Sequence, residues 1–104
     1  MTSSRGSAEP YEIRLSPHAV ARLDSFEKTE AEFVANRLLD LAESPARLSR
    51  PSTPPAELPG YQVFGFESAL PGPRVFFKVF FRYEADERTP YVYTVGRVQY
   101  APEH

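Results

Sequence analysis

The sequence has no cysteine, no tryptophan and a single methionine. Without cysteine there is no disulfide framework, no thiolate metal site and no cysteine nucleophile; the composition suits a reducing compartment, and the cytoplasm is the expected location. Histidine is scarce as well. His18 and the last residue, His104, have no spacing that suggests a metal pair, so no zinc site and no cofactor are expected. No apolar run approaches the roughly 18 residues of a membrane span, and the first ten residues, MTSSRGSAEP, lack the apolar stretch of a signal peptide. They read as a disordered leader. The residues present offer neither a glycine-rich phosphate loop nor a Ser-His-Asp set, and the acidic run Glu84-Ala85-Asp86-Glu87 reads as a solvated hairpin loop.

What is present is one domain's worth of chain. The 104 residues carry a net charge of -2, which argues against strong sequence-independent binding to nucleic acid. The charge is uneven, however: residues 1–44 are net -3 and residues 45–104 net +1, so an anion site belongs in the second half.

Along the chain, Tyr11, Ile13 and Leu15 alternate with Glu12 and Arg14, the pattern of a half-buried strand. Ser16-Pro17 then supplies an N-cap and a first-turn proline, and Ala19, Leu23 and Phe26 mark one stripe of a helix that ends near Phe26. Thr29 to Glu32 has the form of a capping box opening a second helix, with Ala31, Val34, Leu38 and Leu41 as its apolar stripe and Pro45 as its stop. The two helices are expected to form a hairpin.

Residues 45–60 (PARLSRPSTPPAELPG) hold five prolines and one glycine without periodicity, and predict an extended, stiff surface loop that Leu48 and Leu58 could pin to the core. Three strands follow, YQVFGFES, RVFFKVFFRY and YVYTVGRVQY, joined by short turns as a meander. The expected architecture is α+β: four strands, mainly antiparallel, with two helices on one face. The domain should span residues 10–101, with 1–9 as leader and 102–104 as tail.

In the middle strand, Val75, Phe77, Val79, Phe81 and Tyr83 share one face, while Arg74, Phe76, Lys78, Phe80 and Arg82 share the other. Neighbouring cations on that second face stand roughly 13 Å apart. The spacing resembles a phosphate track interleaved with rings. If Arg97 faces the same way, strand parity brings Tyr91 and Tyr93 with it, and bases could stack there. A solvated sheet face, on which long cationic stems cover paired aromatics, fits the same alternation.

The order strand, helix, helix, strand, strand, strand, with YEIRLSPHAVARLDSF at the start and FFKVFFRY and YVYTVGRVQY at the end, resembles the RelE/ParE superfamily of bacterial toxin–antitoxin toxins. Three details carry the likeness: a Ser-Pro-x-Ala helix opening after the first strand, a basic residue inside the third of four strands, and Arg-x-x-Tyr near the end of the last. The resemblance implies a cytoplasmic toxin that binds mRNA on the ribosome through the sheet face opposite the helices, and cleaves it by attack of a ribose 2′-hydroxyl on the adjacent phosphate. It implies a cognate antitoxin as partner, and no membrane or small-molecule cofactor. By the same resemblance, Lys78 and Arg97 would stabilise charge on the phosphorane and Tyr100 would stack on a base or help move a proton. Arg74 and Arg82 would hold the RNA backbone, with Phe76, Phe80, Arg47 and Arg50 completing the RNA-binding set. The chain departs from the pattern at Lys78, where arginine is usual, at Gly96, where many relatives have histidine, and in the Pro-rich run at 51–59. Two other functions fit the fold: a ParE-like inhibitor of DNA gyrase that performs no chemistry, and a non-toxic protein-binding module.

Overall fold

The structure, a computed structural model, describes residues 12–100; the expected leader, Tyr11 and the tail lie outside the described residues. The elements run β1 (Arg14–Leu15), α1 (Pro17–Ser25), α2 (Lys28–Glu43), α3 (Pro45–Leu48), β2 (Arg50–Pro51), β3 (Gln62–Glu67), β4 (Val75–Tyr83) and β5 (Pro90–Gln99). They form one five-stranded sheet in the order β1-β5-β4-β3-β2. β1 pairs with β5 in parallel, and the other pairings are antiparallel.

The α+β class and the meander are as the sequence predicts. The fifth strand comes from the Pro-rich segment: Arg50 pairs with Val63 and Pro51 with Gln62. Pro51 sits there at a sheet edge, where its missing N–H costs no ladder bond. The same segment is less extended than its composition suggests. Pro45, suited by its fixed φ to a first helical position, opens the single turn of α3 after it has ended α2.

α1 begins as expected, with the Ser16 hydroxyl accepting from the Ala19 N–H at 2.9 Å. α2 begins one residue before Thr29, with Glu27 at the N-cap and no side-chain cap bond, so the Thr29–Glu32 capping box does not form. Glu30, in the first turn, pairs with Arg97.

The core lies between the helices and one sheet face, which we call the inner face. Val75, Phe77, Val79 and Phe81 of β4 meet Phe64 and Phe66 of β3, Val92 and Val95 of β5, and Val34, Leu38 and Leu41 of α2. Phe33 of α2 rests on Phe66 and Phe77, and Phe26 on Phe77. At roughly 1.5–3 kcal/mol per fully buried large side chain, this layer dominates the stability of the domain.

Candidate functional site

Arg74, Phe76, Lys78, Phe80 and Arg82 do share the outer face of β4, but the surface is not an open phosphate track. Lys78 lies opposite Gly65 of β3 and Gly96 of β5, so neither of its cross-strand partners has a side chain of its own. Two rings border this lane of Gly65, Lys78 and Gly96. Phe76 lies across Gly65, where an added Cβ would meet its Cζ at 3.0 Å, and Phe80 lies beside Gly96, its Cε2 3.9 Å from where a Cβ would be.

Above the lane passes the Pro-rich loop. Glu57, at its centre, has a side chain only 5% exposed and is held by four donors. Arg50 reaches both carboxylate oxygens, at 2.8 and 2.7 Å, Lys78 Nζ donates at 2.6 Å and the Thr53 N–H at 2.9 Å. These bonds, the one from Arg50 foremost, followed by those from Lys78 and Thr53, hold the carboxyl far below the usual carboxylate range. Glu57 is therefore firmly ionised and a poor proton acceptor. Val63 and Phe80 point to this outer face yet are buried. Leu48 does pack on the core, but Leu58 is exposed. The loop is thus anchored by a carboxylate where a leucine was expected. Arg47, in the last turn of α3, is exposed and makes none of these bonds.

A second feature lies towards the other end of β4. The pairing shifts between Phe80, opposite Thr94, and Phe81, opposite Val92, which leaves Tyr93 as the extra residue of a β-bulge. Its carbonyl accepts from the Ser16 hydroxyl at 2.7 Å, so the α1 cap also secures the bulge. The Tyr93 ring stacks on His18 (centroids 5.5 Å apart, 14° between planes) and on Tyr61 (5.6 Å, 30°). Arg82 lies over Tyr61 at 4.9 Å. The result is a ledge of three rings and one guanidinium. Tyr61 and His18 have no role in the sequence reading, because nothing local places residues 18, 61 and 93 together.

The bulge also changes the parity on which the reading of Arg97 depends. Beyond it, Arg97 lies opposite Phe77 on the inner face, while Tyr91 and Tyr93 are on the outer one. Arg97 donates from Nε and NH2 to the two Glu30 oxygens at 2.9 and 2.8 Å, and Glu30 raises its pKa further. Arg97 and Lys78 therefore do not converge on one phosphate. Tyr100 is on the outer face but at the far end, its ring under Arg74, roughly 13 Å along the strand from Lys78. Arg74 is itself paired with Glu67 at 2.7 Å. The sheet brings together Lys78, Arg50 and Glu57, and separately Arg82, Tyr61, Tyr93 and His18. Among the described residues no three His, Asp or Glu side chains are grouped to hold a metal ion.

No protein-family model matches the chain, and no curated protein sequence matches it. Solved structures do. A chain of the toxin–antitoxin complex RelBE2 from Mycobacterium tuberculosis superposes with a TM-score of 0.62 at 22% identity, covering 84% of this chain and 96% of that one. The isolated E. coli RelE toxin gives 0.58 at 14% identity, with 88% and 87% covered, and a chain of the intact E. coli RelBE complex gives 0.56 at 15%, with 83% and 94% covered. On these superpositions the chain carries the fold of the RelE toxins.

Proposed function

We propose that this chain is the toxin of a bacterial type II toxin–antitoxin pair, acting on RNA across the outer sheet face as a ribosome-associated endoribonuclease. One observation carries the reading: the outer face combines, on a toxin fold, Lys78 in a lane between two glycines with a ledge of three stacked rings and Arg82. Stacking surfaces beside backbone-directed cations are what single-stranded RNA requires. In 2′-hydroxyl attack, negative charge grows on the non-bridging phosphate oxygens, and Lys78 and Arg50 are the donors available to it. Arg82, Tyr61 and Tyr93 would hold the neighbouring nucleotide. A cognate antitoxin is the expected partner.

The test is cleavage of mRNA by the purified chain on programmed ribosomes. Lys78→Met should lower the rate on the order of a hundredfold, whereas Arg97→Met, on the other face, should leave it within a few-fold of wild type. Equal cleavage by Lys78→Met would remove Lys78 from the site.

A second reading has its own support. Lys78 and Arg50 share Glu57, Arg74 has Glu67 and Arg97 has Glu30, so several of the cations suited to chemistry already hold an internal carboxylate. That arrangement suits a toxin that works by protein contact, as a ParE-like gyrase inhibitor would. Inhibition of gyrase supercoiling by the purified chain, with mRNA left intact, would favour it.

A further inference from the structure

In the segment 53–60, Glu57 is the one buried residue; Thr53, Pro54, Pro55, Ala56, Leu58, Pro59 and Gly60 are all exposed. A surface loop normally keeps its acids in water and pins itself with an apolar side chain. Here the arrangement is inverted: Leu58 is 40% exposed and the carboxylate is inside. Burying a charge is costly unless strong partners meet it, and these partners come from the sheet, Arg50 on β2 and Lys78 on β4.

The two sheet cations are not buried with it. The Arg50 side chain is 51% exposed and that of Lys78 is 32% exposed, so both can be approached from solvent while they hold Glu57. A guanidinium fork on two oxygens with an ammonium on one of them is also the donor set that binds two non-bridging oxygens of a phosphate. Two cations facing one carboxylate leave a local charge of one positive unit, which attracts a second anion. The segment ends at Gly60, whose φ of +83° is a backbone conformation that favours glycine.

We propose that Glu57 is an internal stand-in for a phosphodiester. Its loop is a strap that closes an anion site made by Arg50 and Lys78, and a nucleic-acid phosphate binds there by exchanging with the Glu57 carboxylate and lifting residues 53–60. Val63 and Phe80, on the same face as Lys78, would offer an apolar floor beside the cations for a ribose or base. The nature of the ligand rests on the proposed RNA function; the anion site itself does not.

Titrations of the full chain with inorganic phosphate, then with a short single-stranded oligoribonucleotide, followed by amide chemical shifts, test this directly. Wild type is compared with Glu57→Gln and with Glu57→Gln/Lys78→Met. Glutamine keeps the shape and can still accept from Thr53, but it no longer competes as an anion. Removing the competitor raises the binding-competent fraction, so Glu57→Gln should bind both ligands about tenfold or more tighter, and Lys78→Met should cancel the gain. In wild type, saturating phosphate should speed hydrogen exchange at the Glu57 amide, which donates to the Thr53 carbonyl at 3.2 Å in the closed strap. Unchanged or weaker phosphate binding by Glu57→Gln, with Glu57 amide exchange in wild type unmoved by phosphate, would overturn the proposal and make Glu57 a structural pin. A gain for phosphate with no RNA binding by either form would uphold the site and overturn the RNA reading. Equal RNA affinity in both forms, with no gain for phosphate, would uphold RNA binding and overturn the strap.

Discussion

The two faces of β4 are made from alternate residues of one nine-residue strand, yet they are held by different physics. The inner face is apolar area: Phe77, Val79 and Phe81 are fully buried against helices and neighbouring strands. The outer face is held at its centre by one carboxylate shared between two cations, and at the bulge by stacked rings. Area is indifferent to direction and to pH, so this apolar layer is a permanent contact. An ion cluster depends on charge state and on competing ions, so the outer face can be opened.

The sharpest contrast is a cavity on one side against lost charge on the other. Phe77→Ala removes the ring that Phe26, Phe33 and Phe66 all touch, and should cost about 3–5 kcal/mol of unfolding free energy in chemical denaturation. A loss comparable to that from Glu57→Gln would erase the distinction between the faces. Arg97→Met is expected to cost about 1–3 kcal/mol, because it strands the half-buried Glu30 carboxylate on the inner face. A fall in cleavage activity without that loss of stability would return Arg97 to the site.

Acidity discriminates further. The folded pKa of Glu57 is depressed by Arg50 first, then by Lys78 and the Thr53 N–H, so its contribution is fully present above the unfolded glutamate value. It is lost as pH falls below about 4 and towards the lower folded value. Hydrogen exchange should then accelerate in residues 53–60 before it does in the inner-face strands; simultaneous acceleration would mean that the strap is not held separately. The smallest effect expected is from Leu58→Ser, which should leave stability within about 0.5 kcal/mol, since that side chain is exposed. A larger loss would show that the loop is pinned by apolar contact after all.

Much of the fold was legible in the residue order. Alternation in VFFKVFFRY, the Ser16-Pro17 helix opening and the stripe of Val34, Leu38 and Leu41 each express a local period, and the structure keeps all three. The candidate site was legible only in part. Lys78, Phe76, Phe80, Arg74 and Arg82 fall on one face because strand parity holds along β4. Parity fails across β5, where the bulge at Tyr93 turns Arg97 inward. The Thr29 capping box was a sound local pattern that the structure does not use, because α2 starts at Lys28 and Thr29 is already inside the helix.

The sequence alone determined the α+β class, the inner-face core and the cationic, aromatic character of the outer face, because each follows from spacings of two to four residues. Tertiary structure decided which charges meet. Glu57 finds Lys78 21 residues away, His18 finds Tyr93 across the sheet edge, and the bulge separates Arg97 from Lys78. No local period encodes such pairings, since they depend on where a proline-rich loop crosses the sheet and where one strand gains an extra residue.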